Sequence, residues 1–160
     1  MPDGMGDSHD NPAIDPDTPY EYITGQAGLK QLVSRPDIAF ITDANDFGKG
    51  KPHPAAYGSF PRVLGSYVRD QSVIDLPEAV RRMTSLPASI LGLKDRGVLR
   101  EGAWADVVVF DPARVADRTT LADPRNKPEG ITEVLVNGEV VCRNGKLTGS
   151  LPGRVLRKNS

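Results

Sequence analysis

Four consecutive apolar residues at positions 38–41 constrain the fold of this chain most strongly. A short unbroken run of this kind is typical of a strand buried on both faces, as in a parallel sheet, rather than of an alternating surface strand. Such a strand needs neighbours, and the rest of the sequence offers none of the same type. We therefore expect one strand of a sheet whose other strands come from elsewhere.

Asp43 follows this run directly after Thr42. Because α/β barrels place their catalytic groups at the C-terminal ends of their strands, the position suits a carboxylate that moves protons in a metal-assisted hydrolysis. An aspartate after a strand is also a common turn or cap residue. The local pattern leaves both interpretations of Asp43 open.

The composition excludes several classes of protein. The net charge is -1, with 20 basic and 21 acidic residues, which gives no electrostatic case for nucleic acid or an anionic membrane as partner. The single cysteine, Cys142, excludes an intrachain disulfide and a cysteine-based metal cluster. The first residues lack the basic region and apolar core of a signal peptide, so we expect a cytoplasmic protein.

The chain has two histidines, His9 and His53. A catalytic zinc ion takes about three protein ligands plus water, so we expect no complete metal site in this chain alone. His53 lies between Pro52 and Pro54, which restrict the backbone and direct the imidazole. It is therefore a candidate substrate-binding residue, and an ordinary hydrogen-bonded loop histidine is the alternative.

The first half of the chain has a helical pattern. Residues 1–19 read as disordered or extended, residues 20–35 as a weak helix, and the polar stretch after Asp43 as a long loop.

Ser59 is expected to cap a helix that begins at Phe60, and Asp75 with Glu78 to cap a second one. Apolar spacing predicts the buried faces of these two helices. They comprise Phe60, Val63, Leu64, Tyr67 and Val68, and Leu76, Ala79, Val80 and Met83. Pro87 is expected to divide the second helix from a short turn at 88–91, which Gly92 ends.

From residue 97 the period changes from helix to strand. Residues 105–110, 131–136 and 139–143 read as strands, and residues 112–130 as a polar connection. Asn137-Gly138 predicts a tight hairpin and Asn144-Gly145 a second turn. Three or four strands are few for an independent sandwich, so this part suits a sheet completed from elsewhere.

Several motifs resemble one family. They are Thr42-Asp43, Lys51-Pro52-His53-Pro54, residues 57–65 (Tyr-Gly-Ser-Phe-Pro-Arg-Val-Leu-Gly), 83–88, 91–97, 102–111 and 134–138. Together they resemble the C-terminal part of the N-acyl-D-amino-acid deacylases, or D-aminoacylases, of the amidohydrolase superfamily, over roughly residues 28–158. The run from Pro52 through residue 65 is specific to the deacylases, whereas 102–111 and 134–138 are shared across the superfamily.

The resemblance implies an α/β plus β fold, with the last strand and helices of a TIM-like barrel followed by part of a small β-sandwich. Residues 20–96 would form the end of the barrel and residues 97–160 the sandwich portion. The family uses one or two metal ions, usually zinc. Its last barrel strand ends in an aspartate, matched by Asp43, that takes a proton from metal-bound water and returns it to the leaving amine. The family's Ser-Asp-Gly is here Thr42-Asp43-Ala44, and its common Arg after His-Pro, suited to a substrate carboxylate, is Ala55.

The implied function is that of a C-terminal fragment of a zinc-dependent hydrolase of non-peptide C–N bonds, acting on N-acyl-D-amino acids and inactive alone. Activity would need an N-terminal barrel portion or a partner chain. The alternative is a non-catalytic split subunit or structural remnant that completes another amidohydrolase chain. A third option is a small standalone β-rich domain without metal chemistry.

Overall fold

A computed structural model describes residues 26–156, as four α-helices, one π-helical segment and one antiparallel sheet. The helices are α1 (Gln26–Ser34), α2 (Ala55–Arg62), α3 (Leu76–Met83) and α4 (Ser85–Ile90), and a π-helical segment, Val63–Asp70, continues α2 directly. The strands are β1 (Val107–Phe110), β2 (Ile131–Val136), β3 (Glu139–Arg143) and β4 (Lys146–Leu147), in the order β1-β2-β3-β4. The segment predicted at 1–19 and His9 lie outside the described residues. Between residues 26 and 156, no helix is long and apolar enough to cross a membrane.

The hairpin predicted at Asn137-Gly138 is confirmed. The φ angles are 49° at Asn137 and 86° at Gly138, as the tight turn between β2 and β3 requires. The second predicted turn, Asn144-Gly145, also has positive φ at both residues and leads from β3 into β4. Local turn chemistry therefore sets the order of these three strands.

Asp106 joins two motifs that lie 31 residues apart in the sequence. Its Oδ1 accepts a hydrogen bond of 2.8 Å from the Asn137 backbone N–H, and the Gly138 N–H donates to the Ala105 carbonyl at 2.9 Å. Arg96 pairs with the Asp106 carboxylate and donates to Asn137 Oδ1 at 2.6 Å. The carboxylate thus fixes the hairpin turn against the start of β1.

The core lies between the helices and the connection that precedes β2. Its buried members are Val33, Val63, Leu64, Tyr67, Ala79 and Val115. Three of them belong to the apolar spacing predicted at 60–68, and Ala79 belongs to that predicted on α3. Phe60 and Val80, predicted to be buried, are each 37% exposed.

The predicted start of the first of these helices is wrong. The helix α2 begins at Ala55, Ser59 lies inside it, and the Ser59 hydroxyl donates to the Ala55 carbonyl at 2.8 Å. His53 Nδ1 accepts a hydrogen bond of 3.1 Å from the Ala55 N–H, which satisfies an otherwise orphaned donor at the helix start. A helix N-terminus set by an imidazole and a proline, instead of by the hydroxyl of Ser59, explains the earlier start.

The predicted Asp75 cap and the predicted stop at Gly92 are confirmed, but the break predicted at Pro87 is wrong. The break falls at Thr84, and Pro87 lies in the first turn of α4, where a missing N–H is tolerated. Asp75 Oδ1 accepts a hydrogen bond of 2.8 Å from the Glu78 N–H at the start of α3. The Glu78 carboxylate pairs with Arg81 at 2.7 Å, as neighbours on one helix face do. Gly92 follows α4 with a φ of 74°, and the Leu93 N–H closes the turn on the Ala88 carbonyl at 2.8 Å.

Residues 38–41 do not form the predicted strand. They have no regular secondary structure and are held by Arg82 of α3, a fully buried cation. Arg82 Nε donates to the Ile38 carbonyl at 2.6 Å and Nη1 to the Val33 carbonyl, and the Phe40 N–H donates back to the Arg82 carbonyl at 3.0 Å. Because the described chain offers no neighbouring strand, the backbone groups of this run bond to an arginine instead.

Two glycines let the helical part contact the connection between β1 and β2 at close range. A Cβ on Gly65 would lie 2.6 Å from the Val115 carbonyl oxygen, and one on Gly58 would overlap the Asp117 carboxylate. Between them on the same helix face, Arg62 pairs with Asp117 at 2.7 Å, and both side chains are largely buried. The motif at 57–65 is therefore a docking face for this connection.

Gly65→Ala tests the close approach. An alanine raises helix propensity by about 1 kcal/mol in open positions, but a methyl group forced against backbone costs about 1–3 kcal/mol. We expect a net loss of about 1–2 kcal/mol in the free energy of unfolding measured with urea. The control is Gly28→Ala in α1, where nothing lies within 4 Å of the added carbon, and it should be neutral or stabilising. Equal effects at both sites would contradict the docking.

Arg82→Lys tests the buried guanidinium. An ammonium group cannot serve both the Val33 and Ile38 carbonyls in the same geometry, and each buried acceptor left without a donor costs about 1–3 kcal/mol. We expect the free energy of unfolding to fall by about 2–4 kcal/mol. Arg81→Lys, one residue earlier on the half-exposed face, should change it little. A similar small effect at Arg82 would contradict its role.

Candidate active site

Asp43 lies in a short irregular span and is exposed. Its φ is 41°, in the left-handed region that residues other than glycine, asparagine and aspartate rarely adopt. The next residue is Ala44, and the positive φ falls on the aspartate. The backbone turns at Asp43 itself, and its carboxylate is accessible to solvent.

His53 lies exposed at the start of α2. Because Nδ1 accepts the hydrogen bond from the Ala55 N–H, the neutral ring carries its proton on Nε2. Pro54, which follows, is buried. The imidazole direction is therefore fixed by the helix start, as the two flanking prolines led us to expect.

Asp46 links the loop after Asp43 to distant parts of the chain. Its carboxylate accepts hydrogen bonds from Arg125 Nε at 2.7 Å and Nη2 at 2.9 Å, from the Gly48 N–H at 2.8 Å and from the Tyr57 hydroxyl at 2.9 Å. Arg125 Nη2 also donates to the Gly50 carbonyl at 2.9 Å. These contacts fold the loop back on itself and fasten it to the polar connection of residues 112–130.

The electrostatics of this group favour the ionised carboxylate. Hydrogen bonding to Arg125, assisted by the Gly48 N–H, holds the pKa of the Asp46 carboxyl well below its usual range, and Asp46 in turn raises the pKa of Tyr57. Above the unfolded value of about 3.9 the carboxylate keeps these contacts in the loop, and it loses them as the pH falls through the lower folded value. The contacts are therefore intact across the neutral range.

An apolar cavity of about 190 Å³ lies between the two candidate segments. Ile41, two residues before Asp43, and Pro54, one residue after His53, both line it. Arg62 and Asp117 form part of its wall as an ion pair. Thr119 also lines it, and the buried hydroxyl of Thr119 has no hydrogen-bond partner in the described part of the chain. Asp43 and His53 themselves do not line the cavity, whose wall is mostly apolar.

The donor set does not fit a metal ion by itself. Within residues 26–156, no group of three histidine, cysteine, aspartate or glutamate side chains lies close enough to hold one. A carboxylate and an imidazole on one loop fall short of the three or four ligands that zinc requires. Any metal at Asp43 would take its ligands from outside this part of the chain.

Sequence reasoning missed the residues that hold the site together. Arg125 is 79 residues from Asp46, and Asp117 is 55 residues from Arg62. An ion pair at such separation leaves no local signature. The glycines of the motif at 57–65 were the only available signal, because glycine in a helix often marks a close approach by another segment.

Comparison with known proteins assigns the chain to a family. The model of the amidohydrolase family matches residues 9–142. This match covers most of the sequence, and the chain belongs to the amidohydrolase family.

Within that family the chain is similar to deacylases of N-acyl-D-amino acids. It is 50% identical over 109 residues to the N-acyl-D-glutamate deacylase of Alcaligenes xylosoxydans xylosoxydans, which covers 68% of this chain and 22% of the relative. The fold is similar to a D-aminoacylase structure described for its binuclear metal centre, with a TM-score of 0.75 and 38% identity, covering 78% of this chain and 26% of that one.

A further solved structure is the N-acyl-D-glutamate deacylase of Bordetella bronchiseptica, bound to zinc and a phosphonate that mimics the tetrahedral intermediate. Its TM-score is 0.70 at 44% identity, covering 76% of this chain and 26% of that one. The chain thus spans about a quarter of the length of the proteins it matches. The resemblance predicted from the motifs is confirmed.

Proposed function

We propose that this chain is the C-terminal portion of a zinc-dependent N-acyl-D-amino-acid deacylase and carries its proton-transfer carboxylate, Asp43. The observation that carries the proposal is the likeness in fold, at 38% and 44% identity, to two deacylases described with metal centres. The exposed Asp43, on a loop fastened from both sides, fits a group that meets substrate. The chain alone lacks the rest of the active site and is inactive.

The proposed division places the end of a TIM-like barrel at 20–96 and a β-sandwich portion at 97–160. Residues 38–41 would complete a barrel strand once neighbouring strands are present. The four-stranded sheet would pair with strands from the missing portion. Its exposed apolar side chains support this, because Val108 is 51% exposed on β1 and Leu147 is 85% exposed on β4. Such faces are costly in water unless another element covers them.

The proposed role of Asp43 is to carry one proton during amide hydrolysis. Water adds to the acyl carbonyl, Asp43 accepts the proton that the water loses, and the carboxylic acid so formed donates it to the departing nitrogen as the C–N bond breaks. The products are a carboxylate and a D-amino acid, and Asp43 returns to its ionised form. The metal ligands are supplied by the missing portion, since the described residues hold no such group.

The proposed substrate is an N-acyl-D-amino acid, and His53 would contact it. One of the matched relatives is, by its name, a deacylase of N-acyl-D-glutamate. Ala55, beside the cavity and the candidate site, replaces the arginine that the family resemblance places after His-Pro. Recognition of a substrate carboxylate is therefore weaker than in relatives with that arginine.

The second candidate is a non-catalytic subunit that completes another amidohydrolase chain. The chain spans 22–26% of the length of the relatives, and this coverage supports the second candidate as well as the first. Both candidates require a second polypeptide portion. They differ in whether Asp43 takes part in turnover.

A chimera separates the two. Residues 28–158 of this chain would replace the matching segment of the Alcaligenes N-acyl-D-glutamate deacylase, and hydrolysis of N-acetyl-D-glutamate would be measured. We expect turnover by the chimera and none by the 160-residue chain. In the chimera, Asp43→Asn should lower kcat by about 10²–10⁴, the usual contribution of a general acid–base, with zinc content unchanged. The control Asp37→Asn removes an exposed ion pair with Arg35 and should leave kcat unchanged.

Three results would contradict this account. Full kcat in the Asp43→Asn chimera would favour the non-catalytic candidate. Loss of zinc on that substitution would make Asp43 chiefly a ligand. Turnover or stoichiometric zinc in the isolated 160-residue chain would show that its site is complete.

Ala55→Arg in the same chimera tests carboxylate recognition. A bidentate guanidinium–carboxylate contact contributes about 1.5–3 kcal/mol, so KM for N-acetyl-D-glutamate should fall by about 10–100-fold. Ala56→Arg, one residue further along α2, is the matched control and should leave KM unchanged. An equal effect of both substitutions would indicate general charge attraction instead of a specific contact.

A further inference from the structure

Asp43 lies on a five-residue span, 41–45, without regular structure. The span starts where Phe40 is fixed, since its N–H donates to the Arg82 carbonyl at 3.0 Å and its ring lies 4.1 Å from the Arg82 guanidinium. Arg82 itself is fully buried in the helical core. The upstream end of the span is therefore rigidly attached to α3.

The downstream end of the span is fixed at Asp46. Four donor atoms converge on its carboxylate at 2.7–2.9 Å, and they come from Arg125, Gly48 and Tyr57. Tyr57 belongs to α2 and Arg125 to the connection between β1 and β2. The Asp46 side chain is 15% exposed and thus largely covered by these partners. The anchor draws on two separate parts of the fold.

Fixing both ends of a short segment limits the positions of its middle residue. Fixing one backbone residue costs about 1–2 kcal/mol of conformational entropy. In a span anchored at both ends, part of this entropy is already lost when the chain folds. Asp43, three residues from each anchor, also holds a positive φ, which persists only where the surroundings enforce it. The two anchors supply that enforcement.

We propose that Asp46 and Arg125 are positioning residues for Asp43, which hold the downstream end of the span that carries its carboxylate while Arg82 holds the upstream end. This inference rests on the proposed function for the role of Asp43 in turnover. The positioning itself is a property of the 160-residue chain. It gives the polar connection of 112–130 a function that its sequence does not show.

The Asp46–Arg125 ion pair is expected to contribute little to the stability of the whole fold. Arg125 is 40% exposed, and exposed ion pairs contribute little to global stability. None of the four hydrogen bonds to Asp46 comes from the core residues around Arg82 and Val115. Removing the pair should therefore loosen the loop and leave the thermal midpoint almost unchanged.

The test uses Asp46→Asn and Arg125→Gln in the 160-residue chain. Backbone ¹⁵N order parameters for residues 41–50 should fall from about 0.85 to below about 0.6 in both variants, whereas those of β2 and β3 stay unchanged. Trypsin cleavage at the Lys49–Gly50 bond should become several-fold faster, since cleavage follows the population of the open loop. The control Glu133→Gln breaks an Arg143 ion pair of 2.7 Å on the sheet and should change neither reading.

Unchanged order parameters and unchanged cleavage in both variants would overturn the proposal. Loss of order throughout the chain would also overturn it, because the pair would then support the fold and not the loop. Neither reading requires turnover. A chimera whose kcat does not depend on Asp43 would therefore refute the proposed function and leave the positioning standing.

Discussion

The structure depends on one buried cation, the guanidinium of Arg82. It joins α3 to the carbonyls of Val33 and Ile38 and stacks on Phe40, so the segment before Asp43 is held without any sheet. Burial lowers the pKa of Arg82, and a third nitrogen, Nη2, has no partner among the described residues. A buried donor beside residues 38–41 is therefore left without an acceptor in the described part of the chain.

The second constraint is the close contact between the helical part and the connection of residues 112–130. Gly58 and Gly65 remove the side chains that would block it, and the Arg62–Asp117 ion pair fixes its register. Because Arg125 belongs to the same connection, this docking also brings a cation to Asp46. The loop that carries Asp43 and His53 is thus ordered by residues from both halves of the chain.

The sequence predicts those features of the fold that depend on only a few neighbouring residues. The turn at Asn137-Gly138, the Asp75 cap and the Gly92 helix end were all predictable, since each rests on the backbone preference of one or two residues. The strand predicted at 38–41 does not form, because strand formation needs partners that the described chain does not supply. The motif resemblance identified the family correctly but carried no information on the Asp46–Arg125 anchor.

The proposed function requires Asp43 to be the carboxylate that meets the reacting amide. The most direct measurement is a crystal structure of the chimeric deacylase bound to zinc and a phosphonate mimic of the tetrahedral intermediate. We expect the Asp43 carboxylate to lie within about 2.6–3.2 Å of the mimic, or one water away, as proton transfer requires. An Asp43 side chain in solvent, with the mimic contacted by other groups only, would contradict it.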